Sequence, residues 1–263
     1  MTEMEKKTGV SLDAVCGIVR QAGALFLNRE AVSRTTEKGR ADFVTEVDVE
    51  VQQFVRDRLA EAYPEVQFVS EEKDNDDVNR QGLMWVLDPV DGTTNLIHDY
   101  RASAISLALM NQGESVMGII YNPYRNEMYT AQKGYGAFCN GKQIRISRIT
   151  DMEHSLISIG TSPYYKEMAA DNFRLFEKIY ADCVDIRRCG SAAVDLSDVA
   201  AGRLEAYFEK RLKLWDFAAG MLLVTEAGGL VLNCDGGPVR CDMVEDIVAG
   251  VPEIVRLLTG NYF

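Results

Sequence analysis

Histidine is scarce in this chain: His98 and His154 are the only two among 263 residues. The six cysteines, Cys16, Cys139, Cys183, Cys189, Cys234 and Cys241, form no CxxC pair. Zinc-ligand spacing is therefore missing. The thiols read as reduced cysteines of a cytoplasmic protein, not as a secreted disulfide framework. Positive charge is also short, with 28 Lys and Arg against 40 Asp and Glu, a net charge of −12. That argues against unaided binding to nucleic acid or to an anionic membrane, which calls for a basic face. Phosphorylated substrates stay open, provided bound cations reverse the sign locally. No apolar run approaches the roughly 18 residues of a membrane span. The start, Met1 to Lys7, is polar, no apolar core of about 7–15 residues follows it, and no secretory signal is expected. No internal repeat is visible.

What is present is the composition of an ordinary globular protein, 47% hydrophobic and 26% charged, long enough for one large domain or two joined halves. Residues 83–95, LMWVLDPVDGTTN, carry its most distinctive chemistry. The apolar run from Leu83 to Leu87 reads as a buried strand, and it stops at Asp88, with Asp91 three residues on. A buried carboxylate must be neutralised, and no Lys or Arg lies within the stretch. Pro89 fixes φ and Gly92 permits a sharp turn, so the two Asp can converge. Two readings stand: a divalent-cation site, or an Asp-rich turn.

Along the chain, apolar spacing predicts a helix over residues 11–29, a loop over 38–42, and a second helix capped by Thr45 and ending before Pro64. Glu46 and Asp48 in its first turn suit the helix dipole, which is itself a sufficient reason for Asp48. Strands are expected over residues 66–70, 83–87, 103–110, 115–121 and 128–132. The acidic segment 74–79 fails the spacing of a calcium loop and reads as a solvated loop. The run from Gly136 to Gln143, GAFCNGKQ, resembles a phosphate loop, but Gln143 stands where Ser or Thr would hold Mg²⁺ and a strand pattern follows. Asn140-Gly141 reads instead as a type I′ hairpin turn. After residue 150 strands and helices alternate: strands over 156–160, 184–188, 204–208, 230–233 and 247–250, helices over 166–180, 192–201, 216–227 and 251–259. The fold class is α+β passing into α/β. Residues 1–150 form an N-terminal half with most candidate ligands and 151–263 a C-terminal α/β half with Asp216, so that a cleft between them is the expected site.

Glu71, Asp88, Asp91 and Asp216 fall where strands end or helices begin. An all-oxygen set suits hard cations, Mg²⁺ above zinc or copper, and two or three such ions sharing carboxylates form a clamp for phosphate-ester chemistry. At these residues the chain resembles the inositol monophosphatase family. Asp88-Pro89-Val90-Asp91-Gly92-Thr93-Thr94-Asn95 is similar to its first signature and Trp215-Asp216-Phe217-Ala218-Ala219-Gly220 to its second. Glu71-Glu72 lies the expected distance upstream, and Ala41-Asp42-Phe43-Val44-Thr45-Glu46-Val47-Asp48 resembles a further segment. Order and spacing hold over most of the chain.

The resemblance implies a layered α-β-α-β-α sandwich of the sugar phosphatase type, usually a homodimer, and Mg²⁺-dependent, lithium-sensitive hydrolysis of phosphate monoesters with two or three ions per subunit. It implies one metal on Glu71, Asp88 and the carbonyl of Val90, a second on Asp88, Asp91 and Asp216, and a weaker third on Glu71. Attack on phosphorus would come from a water near Glu71 and Thr93, with Asp48 hydrogen-bonded to the Thr93 hydroxyl. Backbone groups of Gly92 and Thr93 would hold phosphate, and Asp91, Gly190, Ala192 and Glu209 would meet substrate hydroxyls. Glu209 has a plainer reading as surface charge balanced by Lys210 and Arg211. The basic stretch Lys210-Arg211-Leu212-Lys213 either steers phosphorylated substrates or lies in solvent. Ser70 stands where the family usually has Gly, and Lys73 where it has Ser or Thr; both bear on the substrate, not the reaction. The expected substrate is a small phosphorylated polyol or sugar, inositol monophosphate first. Fructose 1,6-bisphosphate, 3′-phosphoadenosine 5′-phosphate and histidinol phosphate are alternatives, and a non-catalytic metal-binding regulatory protein is the reading of another class.

Overall fold

The computed structural model describes residues 3–39, 42–72, 75, 78–241 and 243–263. Outside them lie Met1 and Thr2 of the polar start, Arg40 and Ala41 of the expected loop and signature segment, Lys73, and Asp74, Asp76 and Asp77 of the acidic segment.

Helices α1 (Glu3–Thr8), α2 (Leu12–Gly23) and α3 (Arg29–Ser33) open the chain. The single helix expected over 11–29 is in fact broken: α2 passes into a 3₁₀ turn, Ala24–Leu27. Asn28 then accepts a hydrogen bond from the Ala31 N–H at 3.2 Å and caps α3. A side-chain cap competes with helix continuation at such a residue. Next, β1 (Thr35–Gly39) and β2 (Asp42–Thr45) pair antiparallel. The loop expected over 38–42 is therefore corrected for Lys38, Gly39 and Asp42, which belong to a hairpin whose Thr, Phe and Val content favours strand. The helix α4 (Glu46–Ala62) starts at Thr45 as expected.

A seven-stranded sheet follows, built from β3 (Gln67–Ser70), β4 (Met84–Asp91), β5 (Ala104–Asn111), β6 (Glu114–Asn122), β7 (Glu127–Gln132), β8 (Ala137–Cys139) and β9 (Lys142–Ile144) in that spatial order. Only β3 and β4 run parallel; the other neighbours are antiparallel. The short helix α5 (Thr93–Ile97) interrupts the run between β4 and β5. Asn140 and Gly141 take φ of 49° and 77° between β8 and β9, the type I′ turn that their residue types predict.

The remaining elements are β10 (Leu156–Ile159), α6 (Ala169–Asp182), β11 (Asp185–Arg187), α7 (Ala192–Ala200), β12 (Ala206–Lys213), α8 (Leu214–Glu226), β13 (Leu230–Leu232), β14 (Val244–Gly250) and α9 (Pro252–Asn261). The second sheet orders its strands β11-β10-β12-β14-β13. The strand expected over 204–208 does not end there. β12 bulges between Glu209 and Leu212 and pairs with β14 again through Lys213. Arg211 sits at φ 60° in that bulge and its N–H reaches Asp246 Oδ1 at 2.8 Å. Pairing with β14 overrides the charge of residues 210–213.

Three apolar clusters define the layers. Trp85, Leu87, Ile105 and Ile119 of the first sheet pack with Val15 and Val19 of α2 and Val51 and Val55 of α4. The opposite face of that sheet, with Val86, Ala108 and Ile120, meets α7 and α8, and so does Tyr207 of the second sheet. The outer face of the second sheet, with Ile157, Phe208 and Val248, meets α6 and α9. The chain thus adopts the α-β-α-β-α sandwich. Sheets covered on both faces explain strands that read as continuous apolar runs. The central helices approach closely: a Cβ on Gly118 of β6 would stand 2.7 Å from the Ala219 carbonyl oxygen of α8. Among the described residues no helix is long and apolar enough to cross a membrane.

Candidate active site

Every residue of β4 is buried, the two carboxylates included. The pairing of β4 with β5 slips between Asp88 and Asp91, where Pro89 and Val90 bulge. Proline has no N–H to give a ladder, so a bulge accommodates it. The Val90 N–H donates to Asp88 Oδ1 at 3.0 Å. Gly92 follows at φ 89°, a left-handed turn that starts α5 and aims Thr93 back at β4.

Asp48 serves two purposes. Its Oδ2 accepts the Thr45 N–H at 2.8 Å and the Thr45 hydroxyl at 2.6 Å, which caps α4. Its Oδ1 lies 3.0 Å from the Thr93 hydroxyl, which is also 3.0 Å from the Val90 carbonyl oxygen. The cap reading and the Thr93 contact are therefore compatible. Burial pushes the Asp48 carboxyl up to about 6, against its hydrogen bonds to Thr45 and Thr93.

Asp91, one turn away, is held by the far half of the molecule. Its Oδ2 accepts the Ser191 hydroxyl at 2.7 Å and the Ala193 N–H. Both donors belong to the start of α7, where the helix dipole favours negative charge. Burial still raises Asp91 to about 6. Asp216 lies in the first turn of α8 and takes the Lys213 N–H at 2.7 Å. Asp88 and Asp216 are both held well above the usual carboxylate range, by burial first and then by the other acids: Glu71 and Asp91 act on each. Glu71, just past β3, is raised to about 8 by burial and then by Glu72.

All of the sequence-predicted site residues except Asp48 line one cleft of about 750 Å³. Asp48 stands behind Thr93, 1% exposed. Among the described residues, no hydrogen bond reaches the Glu71 carboxylate, and no hydrogen bond reaches the second oxygen of Asp88, Asp91 or Asp216. These oxygens are not sealed in: the fully enclosed side-chain atoms without a partner are Trp85 Nε1, Asn122 Nδ2 and Gln132 Nε2. They therefore open to the cleft, an all-oxygen donor set that fits a hard cation. As the described residues stand, no three Asp, Glu, His or Cys side chains close around a single point. Glu71, Asp88, Asp91 and Asp216 nevertheless line the same cleft.

Across the cleft, Glu209 is not surface charge. Its Oε1 accepts the Ser162 N–H and its Oε2 the Tyr207 hydroxyl, each at 2.7 Å. Of the basic stretch, Lys213 lines the cleft, whereas Lys210 lies 5.7 Å over the Phe263 ring and Arg211 4.4 Å over that of Tyr165. Four features escape sequence reading. Ser191 caps α7 and holds Asp91. Asn95 donates to the carbonyls of Ala102 and Cys189 at 2.7 and 2.9 Å, tying α5 to the segment that carries Gly190. Asn95 closes the first signature and Ser191 stands between Gly190 and Ala192, so the signal was there. Arg188 and Tyr164 also line the cleft, and nothing local in the sequence marks them.

A sequence model of the inositol monophosphatase family matches residues 7–258. A protein of Escherichia coli strain K12 named Nus factor SuhB is 39% identical over 246 residues, 92% of this chain and 91% of that one. The crystal structure of extragenic suppressor protein suhB from Bartonella henselae has a TM-score of 0.87 at 32% identity, covering 95% of this chain and 96% of that one. An inositol monophosphatase from Anabaena (Nostoc) sp. PCC 7120 gives a TM-score of 0.85 at 28% identity, covering 98% and 96%.

Proposed function

The chain belongs to the inositol monophosphatase family, whose chemistry is that of Mg²⁺-using phosphatases in general, and we propose that it hydrolyses inositol monophosphate to inositol and phosphate. The observation that carries this reading is the opening of Glu71, Asp88, Asp91 and Asp216 onto one cleft beside the Asp48–Thr93 pair. These carboxylates and the Val90 carbonyl would hold two or three Mg²⁺ ions. When bound, the cations neutralise the buried acids and the phosphate, acidify a water and stabilise the departing alkoxide.

The rest falls to protein groups. Thr93 has one hydroxyl hydrogen and two acceptors at 3.0 Å. Donating that hydrogen to Asp48 leaves an Oγ lone pair free to accept a hydrogen bond from the attacking water, and the water's proton passes to Thr93 as the Thr93 proton passes to the Asp48 carboxylate. The two Thr45 contacts hold Asp48 in the orientation for this. Gly92 and Thr93 would present backbone N–H groups to phosphate. Glu209, fixed by Ser162 and Tyr207, keeps lone pairs for substrate hydroxyls, with Gly190 and Ala192 opposite. No phosphoenzyme forms, since water attacks phosphorus directly.

The division near residue 150 is part of the proposal. It is supported by two sheets that exchange no strand across that point. A homodimer, lithium sensitivity and a cytoplasmic location rest on the family resemblance and the sequence. Fructose 1,6-bisphosphate, 3′-phosphoadenosine 5′-phosphate and histidinol phosphate are the alternative substrates. The name Nus factor borne by the E. coli relative supports a second reading, a metal-binding regulatory protein of this fold that acts without catalysis. Phosphate release from a panel of monoesters, with and without Mg²⁺, separates them. Turnover of inositol monophosphate above the other esters is expected. No release from any ester while Mg²⁺ still binds would establish the second reading.

A further inference from the structure

The segment between β10 and α6, residues 160–168, is anchored far more heavily than a surface loop requires. The Gly160 N–H donates to the Phe208 carbonyl at 2.8 Å. Ser162, at φ 49°, donates its N–H to Glu209 and its hydroxyl to the Lys210 carbonyl at 2.8 Å. Arg188 donates to the Thr161 hydroxyl at 3.0 Å, and Arg211 stacks on Tyr165 from the strained bulge of β12. A residue held in the left-handed region persists where its surroundings over-determine it. What this anchoring presents is Tyr164.

Tyr164 lines the cleft yet keeps 52% of its surface exposed. Among the described residues it has no hydrogen-bond, ring or cation partner, unlike its neighbour Tyr165. Burial, and then the charges of Glu71 and Asp216, push its phenol up. An aromatic face fixed at the rim of a carboxylate-lined cleft is a surface for the part of a substrate that is not phosphate.

We propose that Tyr164 is a specificity-determining residue, its ring packing against the C–H face of a cyclic leaving group so that ring polyol phosphates are preferred over open-chain ones. This rests on the phosphatase reading above. A ring presents a flat apolar face with hydroxyls at its edge, where Glu209 and the segment from Gly190 to Ala192 can meet them. An open chain must first be ordered to offer the same face.

The test is steady-state kinetics of the full chain with Mg²⁺ on two esters, inositol 1-phosphate and glycerol 2-phosphate. Y164A is expected to lose about tenfold in kcat/KM on the ring ester, mostly in KM, with less than about twofold loss on the open-chain ester. Y164F should match the parent on both. The retained glycerol 2-phosphate activity reports that Y164A is folded and loaded. Equal losses on both esters, or a Y164F as impaired as Y164A, would overturn the assignment while leaving the phosphatase reading intact. A parent protein that hydrolyses neither ester would overturn both.

Discussion

Mg²⁺ binding should be coupled to proton release, and the structure sets how steeply. A carboxylate must lose its proton before it can hold a cation. Asp91 ionises at about 6 and Glu71 at about 8, each raised first by burial. Between pH 7 and pH 5 a group of pKa 6 goes from about 10% to about 90% protonated, weakening cation affinity by about tenfold. A group of pKa 8 is mostly protonated throughout that interval and contributes about a hundredfold more. The ion held by Glu71 should therefore weaken by at least about a hundredfold over those two pH units, or about 3 kcal/mol, and the ion held by Asp91 by at least about tenfold. Isothermal titration calorimetry with Mg²⁺ at pH 5, 6 and 7, in buffers of different ionisation heat, measures affinity and protons released together. A dissociation constant that changes by less than about tenfold over this range, with no proton released at pH 6, would refute the reasoning.

The same groups control stability when cations are chelated. Asp48, Asp91 and Glu71 are raised to about 6, 6 and 8, chiefly by burial; each contribution is full below the unfolded value and lost as pH rises through the folded one, so Tm in EDTA should fall from pH 5 to pH 8 by calorimetry. Thr93→Ala should lower kcat by about 10²–10³-fold while leaving the Mg²⁺ titration unchanged; loss of Mg²⁺ binding would make Thr93 a structural residue instead. Gly118→Ala places a Cβ 2.7 Å from a backbone oxygen of α8, so it should cost about 1–3 kcal/mol, read as a lower urea midpoint; an unchanged midpoint would mean that the central layer gives way easily.

Much of this protein was open to reading because its signals are local. Thr45 caps α4, Asn140-Gly141 turns its hairpin, and the apolar run into Asp88 is a strand buried on both faces. The misreadings share one cause. The helix broken at Asn28, the hairpin of β1 and β2, and the extension of β12 through residue 213 all turn on a side-chain cap or a partner strand. Neither shows in the periodicity of the segment itself. Glu209 could be argued either way from its neighbours Lys210 and Arg211. Only the bulge and the Ser162 contact turn it into the cleft.

By itself the sequence determined which residue types are present and in what order: acids at the ends of strands, no histidine or cysteine set to compete for a metal, and motifs that mark the family. Tertiary structure decided what those acids do. Asp91 is held by α7, a hundred residues away along the chain. Thr93 is aimed by Asp48, 45 residues earlier. Tyr164 lines the same cleft from the segment after β10, in the other sheet. Side-chain chemistry and period are properties of a few adjacent residues. Convergence is set by how closely two sheets and the helices between them pack, and that distance is written at contacts such as Gly118 against Ala219.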